Sequence, residues 1–330
     1  MLFYPSHDIA LGNGVRHFNP PAAALRLQED LAWLADIWNQ GRTRPLPWGW
    51  DWDTRQYLHQ ACRIPLKELP DDAQLEALRQ LSSRQTTIHI LQQLGYQGEM
   101  PQFLATIDDV RNYINVHNAQ RLPFVLKTPW SSSGRGLILW HTPQDELLKR
   151  ASAALRRMGG MMGERWLDKK QDFAMLFYIG SEDVRFAGFS LFDNGGDGTT
   201  YRQGYLLSDT EIEKRLTSIL NKTQLTGSSQ TGSRESEFPP FRELQNALVR
   251  VLTGLFHPFF HLPWEVGYVG IDMMITDRGI MPCVEMNVRC TMGVVARLWS
   301  DRHLQPGETG RFYISPMDQD GHFEARFEKD

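Results

Sequence analysis

Two stretches of the chain hold residues whose types and spacing could do chemistry. The first is residues 268–289, YVGIDMMITDRGIMPCVEMNVR. Val269, Ile271, Met273 and Ile275 alternate with Gly270, Asp272, Met274 and Thr276. Past Asp277-Arg278-Gly279, Ile280, Val284, Met286 and Val288 alternate with Met281, Cys283, Glu285, Asn287 and Arg289. A period of two means two strands, each with one apolar face. With Arg278-Gly279 as a two-residue turn, Asp272 falls opposite Glu285, and Asn287 follows on the same face. Facing carboxylates repel across a sheet, and a cation between them removes that cost. Two anionic oxygens and one neutral oxygen suit a hard ion such as Mg²⁺ better than zinc. Arg289 continues the face and could meet an anion held by that ion. The other reading is an ordinary solvent-facing hairpin.

The second stretch is residues 125–140, VLKTPWSSSGRGLILW. Two apolar runs flank a loop holding Ser131, Ser132, Ser133, Gly134, Arg135 and Gly136, and Lys127 closes the first run. Backbone amides and hydroxyls of such a loop suit phosphate oxygens, and glycine lets the backbone approach them. A P-loop it is not, since GxxxxGK[ST] is absent and a strand follows. The alternative is a mobile surface loop with a snorkelling lysine.

These stretches must be positioned by ordinary elements. Residues 22–38 place Leu27, Leu31, Leu34 and Trp38 at helical spacing. Residues 71–94, 107–118, 143–158 and 241–256 also read as helices, with Gly95 ending the first of these regions. Residues 42–53 form a Trp- and Pro-rich loop. Residues 173–179 and 184–192 read as strands joined by a Gly-Ser-Glu-Asp turn. SHDIALGNG near the start offers a Gly-rich turn close to a substrate. Residues 226–240 are small and polar, an insertion or a second lid, and the last dozen residues are expected to fray. The class is α/β, turning to α+β with antiparallel sheet in the second half.

The chain has 330 residues, enough for two or three domains. It is 41% hydrophobic and 22% charged, with a net charge of −4. That balance argues against nucleic-acid and anionic-membrane partners. Cys62, Cys283 and Cys290 are an odd, scattered set, which fits a reducing compartment. Cys290 is out of phase with the polar face and reads as a packed thiol. No signal peptide or apolar span is apparent, so the expectation is a cytoplasmic protein.

In order and separation the motifs VLKTPWSSSGRG, GERWLDKKQDF and GIDMMITDRGIMPCVEMNVR resemble the ATP-grasp superfamily, over about residues 80–290. The resemblance implies an ATP-grasp fold after a small α/β domain. Its divisions would be 1–80 (substrate side), 81–165 (small subdomain with the lid loop), 166–315 (subdomain with the metal hairpin) and 316–330 (polar tail). It also implies roles. Lys127 would contact ATP phosphate, and residues 131–136 would be the lid. Glu164 would begin the hinge, with the backbone of Trp166 and Leu167 at the adenine edge. Asp172 stands where the family has a ribose-binding acid, or is a turn aspartate. Arg84 would reach phosphate, or is a solvated helix charge. Asp272, Glu285 and Asn287 match the metal ligands, and Arg289 completes ExNxR. Gly270 stands where D-alanine ligase-like branches carry arginine, and Val-Arg-Cys replaces their Pro-Gly.

The activity so implied is an ADP-forming carboxylate–amine ligase. It would use ATP with one or two Mg²⁺, Mn²⁺ being acceptable, on a small amino-acid or peptide-like carboxylate and an amine, with Lys127, Arg135 and Arg289 at the reacting groups. Arg185 and Arg202 are further candidates for gripping the acceptor carboxylate, or are exposed sheet charges. A homodimer would be compatible with the family. The alternatives are a phosphotransferase on the same scaffold and a non-catalytic nucleotide-binding module.

Overall fold

The computed structural model describes residues 2–131, 136–195, 201–227, 241–315 and 321–330. Among them, eleven strands form two sheets in which every pairing is antiparallel. The smaller sheet holds β1 (Gln102–Leu104), β2 (Phe124–Lys127), β3 (Leu137–Leu139) and β4 (Met161–Arg165), in the order β1-β4-β2-β3. The larger holds β5 (Lys169–Ile179), β6 (Val184–Asn194), β7 (Tyr201–Leu206), β8 (Gly267–Thr276), β9 (Gly279–Asn287), β10 (Gly310–Ser315) and β11 (Glu324–Lys329). Its order is β11-β10-β7-β6-β5-β8-β9, with the long strands β5 and β8 adjacent near one edge.

The helices are α1 (His7–Asn13), α2 (Ala22–Asp30), α3 (Ala35–Asn39), α4 (Trp52–Gln60), α5 (Asp72–Leu81), α6 (Thr86–Gln93), α7 (Ile107–Ala119), α8 (Gln144–Met158), α9 (Asp209–Gly227), α10 (Phe241–Phe256) and α11 (Met292–His303). Local chemistry fixes their starts. Asp71 with Gln74, and Thr106 with Asp109, form reciprocal capping boxes at α5 and α7. Gly95, at φ 67°, follows α6 in the left-handed region that glycine tolerates.

The large sheet separates two cores. Phe173, Met175 and Phe177 of β5 pack with Leu248 and Leu252 of α10 on one face. Ala174 and Leu176, one residue out of step, pack with Val294, Val295 and Ala296 of α11 on the other. The N-terminal segment joins both: Leu58, Leu75 and Leu78 enter the first core, and Phe3, Leu34, Trp38 and Trp48 the second. A third core lies under the small sheet, around Val110, Phe124 and Leu147.

Several expectations need correction. Residues 22–38 do not form one helix, because Leu31 and Leu34 turn inward through a 3₁₀ turn while α2 stays at the surface. Residues 2–80 are helical rather than α/β, with one isolated bridge, Gly49 to Arg289, since no period-two run occurs there. SHDIALGNG is helix α1 closed by Gly14, not a turn. The expected polar tail includes β11, whose Phe327 stacks on Trp299 and Phe312 at 4.7 and 4.6 Å. Of the proposed insertion at 226–240, residues 226–227 end α9 and the rest lies outside the described residues.

Candidate functional site

The two sheets share one cleft of about 1350 Å³, lined by β2 and β4 on one side and by β5, β8 and β9 on the other. The hairpin β8–β9 sets the acidic wall. Its turn is Asp277-Arg278, one residue earlier than the sequence suggests, with Thr276 paired to Gly279. The register would then miss Glu285. Between Met274–Met281 and Asp272–Glu285, however, β9 carries three residues against one of β8. Pro282, which cannot donate to a ladder, lies in that irregular stretch. The bulge restores Asp272 opposite Glu285.

Asp272 is pushed up to about 7, first by burial and then by the Glu285 charge. That facing pair fits a hard cation. Asn287 donates through Nδ2 to Asp272 at 3.0 Å, and its Oδ1 accepts from Arg289 at 3.0 Å. Its amide would have to turn to bring oxygen toward the pair. Among the described residues, no group of three or more His, Cys, Asp or Glu side chains could hold a metal.

The opposite wall is basic. Lys127 closes β2 and its Nζ donates to Glu164 of β4 at 2.5 Å, both side chains being about nine-tenths buried. Glu164 Oε1 has no partner. Arg84, at the entrance to α6, is buried. It donates to the Thr128 carbonyl at 2.7 Å, to Ser131 Oγ at 2.8 Å and to Glu285 at 2.7 Å. Its Nε is buried without a partner. Thr128 N–H meets the Gly136 carbonyl at 3.0 Å and closes the base of the loop. A Cβ on Gly136 would sit 2.1 Å from Thr128 Oγ1, so an added methyl would force that side chain to shift. Ser132, Ser133, Gly134 and Arg135 lie outside the described residues.

The remaining expected residues divide. Trp166 and Leu167 line the cleft, but Trp166 N–H already donates to the Pro123 carbonyl at 2.9 Å. Asp172 lines it from within β5, not from a turn. It bonds Lys169 at 2.5 Å and Asn194 at 2.7 Å, and burial raises its pKa. Arg202 lines the cleft, whereas Arg185 is absent from its lining and pairs with Asp183 at 3.3 Å. Cys290 is buried, and burial pushes its thiol up.

The sequence reading missed Asp8. This residue of α1 takes Arg289 in a fork, with Nε at 2.9 Å and Nη2 at 2.7 Å. Burial opposes the Asp8 charge, but Arg289 outweighs it and holds the carboxyl below its usual range. Trp48 lies over the guanidinium at 5.7 Å. The only hint was a polar SHD run ahead of the apolar positions of α1.

No family model matches the chain, and no curated protein matches it. Solved structures do. It is similar to an N5-carboxyaminoimidazole ribonucleotide synthetase solved with ADP (16% identity, TM-score 0.41), covering 64% of this chain and 47% of that one. It is similar to phosphoribosylamine–glycine ligase of Thermotoga maritima (11%, TM-score 0.48; 80% and 70%). It is similar to the biotin carboxylase domain of Hydrogenobacter thermophilus 2-oxoglutarate carboxylase, solved with MgADP, ADP and bicarbonate (11%, TM-score 0.46; 95% and 61%). The chain thus spans about half the length of the first of these proteins. No helix among the described residues is long and apolar enough to cross a membrane. The lysine strand lies in one antiparallel sheet and the carboxylate hairpin in the other, with one cleft between them.

Proposed function

We propose that the chain is an ATP-dependent ligase that activates a small carboxylic acid as an acyl-phosphate and joins it to an amine. One observation carries this reading. Lys127 and Arg84 on one wall of the cleft oppose Asp272 and Glu285 on the other, and Arg84 Nε is buried without a protein partner. A polyphosphate with its cation satisfies both walls at once.

In this reading the adenine edge meets the Trp166 carbonyl and Leu167, and Asp172 faces the ribose. Lys127 has three donors, of which Glu164 engages one, and it turns the others to phosphate. Arg84 offers phosphate its Nε. Asp272 and Glu285, with Asn287 after its amide turns, would hold Mg²⁺, which neutralises phosphate charge when bound. An oxygen of the substrate carboxylate attacks the γ-phosphorus. A C–O–P bond forms, the bond to the β-phosphate oxygen breaks, and ADP leaves. The amine nitrogen then attacks the acyl carbon, loses a proton and expels phosphate. Positioning and electrostatics supply the catalysis. The loop after Lys127 keeps water from the acyl-phosphate.

Thermal unfolding with MgATP, with ATP plus a chelator, and in Lys127→Ala and Glu285→Gln tests the site. A ligand that binds only the native state stabilises it by roughly 2.7 kcal/mol at a hundredfold excess over Kd. The expected result is a magnesium-dependent rise in Tm that each variant loses. No rise for the folded wild type would sink the reading. Products then decide the reaction: free phosphate with a condensed product marks a ligase, and phosphate kept on the substrate marks a phosphotransferase.

A further inference from the structure

We infer that the Asn287 amide has two positions, giving its oxygen either to Arg289 or to the cation, so that the cation and a carboxylate on Arg289 bind cooperatively. The inference rests on the ligase reading above and adds how the two seats communicate. Asn287 ends β9 and is 7% exposed, so its amide finds its partners within the protein. Its Oδ1 accepts from Arg289 Nη2 at 3.0 Å, and its Nδ2 donates to Asp272 at 3.0 Å. Both contacts demand the same orientation. A guanidinium has only donors and cannot face Nδ2, and an ionised Asp272 has only acceptors and cannot face Oδ1.

Arg289 is too well held to follow a turning amide. Asp8 takes its Nε at 2.9 Å and its Nη2 at 2.7 Å, and the Cys290 carbonyl takes Nη1 at 3.1 Å. The Arg289 backbone bridges to Gly49, and Cys290 N–H donates to the Trp48 carbonyl at 2.6 Å. Of the guanidinium N–H groups, one on Nη1 has no partner among the described residues. Arg289 and Asn287 both line the cleft.

The remaining freedom is the terminal torsion of Asn287. That torsion is broad and roughly two-fold, so half a revolution costs hydrogen bonds rather than rotamer strain. Turned, Oδ1 joins Asp272 and Glu285 as the third oxygen for a hard cation. Nδ2 then faces Arg289, donor against donor, and the Nη2 N–H that Asn287 held loses its acceptor. A buried donor left unpaired is costly. A carboxylate at this point accepts from Asn287 Nδ2, from that Nη2 N–H and from the unpaired Nη1 N–H, and removes the cost. Without the carboxylate, Arg289 and the cation compete for one oxygen atom. By linkage, each ligand raises the affinity of the other by the same factor.

The test uses acetate as the probe acid, with chloride at equal ionic strength as its control and Mn²⁺ in place of Mg²⁺. Mn²⁺ binding to the ADP-loaded chain is read from the paramagnetic resonance of free Mn²⁺ against a protein-free blank. The side-chain N–H signals of Asn287, assigned by their loss in Asn287→Asp, are read by heteronuclear NMR. Acetate should lower the Mn²⁺ Kd at least about fivefold, and Mn²⁺ with ADP should lower the acetate Kd by the same factor. MgADP should move the Asn287 signals, and ADP with a chelator should not. Asn287→Asp offers oxygen to both sides without turning, so it should bind Mn²⁺ more tightly and lose the acetate effect. No acetate effect in the wild type, an acetate effect kept in Asn287→Asp, no Mn²⁺ binding by that folded variant, or Asn287 signals unmoved by MgADP overturns the inference alone. A folded wild type whose Tm does not rise with MgATP overturns the ligase reading and the inference together.

Discussion

Arg84 and Glu285, 201 positions apart, are joined at 2.7 Å across the cleft. The same guanidinium holds Thr128 and Ser131 at the base of the loop, so one side chain ties the basic wall to the acidic hairpin. Arg84→Met should leave Glu285 uncompensated beside Asp272 and cost roughly 3–5 kcal/mol in the absence of ligand. A double-mutant cycle with Glu285→Gln should show a coupling of at least about 0.5 kcal/mol. Additive denaturation free energies would mean the contact does no mechanical work.

Asp272→Asn relieves the like charge opposite Glu285. The free protein should gain about 1 kcal/mol at pH 8, yet lose its magnesium-dependent stabilisation by nucleotide. Calorimetry with and without MgATP reads both effects. A variant that is destabilised and still stabilised by MgATP would contradict the cation role.

Asp8 gives a pH dependence with a defined sign. Its carboxyl is held below the usual range in the folded state, so its contribution is present above the unfolded pKa of about 3.9 and lost as pH falls through the folded value. Asp8→Asn should therefore be less stable than wild type at pH 7, by roughly 3–5 kcal/mol for a broken buried pair. The difference should shrink once the pH drops below about 4. A gap in urea midpoints that is constant from pH 7 to pH 3 would refute it.

Gly136→Ala should interfere with closure of the loop base, because the new methyl meets Thr128 Oγ1 and Ser131 Oγ at 2.1 and 2.6 Å. A cost of about 1–3 kcal/mol is expected for such overpacking, together with weaker MgATP binding. Unchanged nucleotide affinity by titration calorimetry would show that the loop base tolerates the methyl.

Much of the site was legible because strands announce themselves by period two. Val269 to Ile275 and Met286 to Val288 fixed the faces, and the Asp272–Glu285 pairing came out as expected despite a turn misplaced by one residue. The compensating irregularity near Pro282 could not be read, since a bulge leaves alternation intact when it adds two residues. The Lys127–Glu164 pair was half visible: both residues were singled out, but their contact depends on β2 and β4 being neighbours. Asp8 was illegible as a partner of Arg289, because a long-range ion pair leaves no local periodicity. The strand β11 was overlooked although EARFEK alternates, the charges masking two inward positions at Ala325 and Phe327.

The Asp8–Arg289 pair closes a loop of 281 positions, and its neighbours Trp48 and Cys290 are stitched by a backbone bond of 2.6 Å. A ribosome must therefore deliver the 281 residues that follow Asp8 before α1 can find its seat. Until then α1 and the tryptophans of residues 48–52 wait without their partners, exposed to wrong associations. Contacts this distant in sequence slow folding, since chain closure precedes any reward. The Asp8–Arg289 contact on the cleft wall thus cannot form until residue 289 has been made.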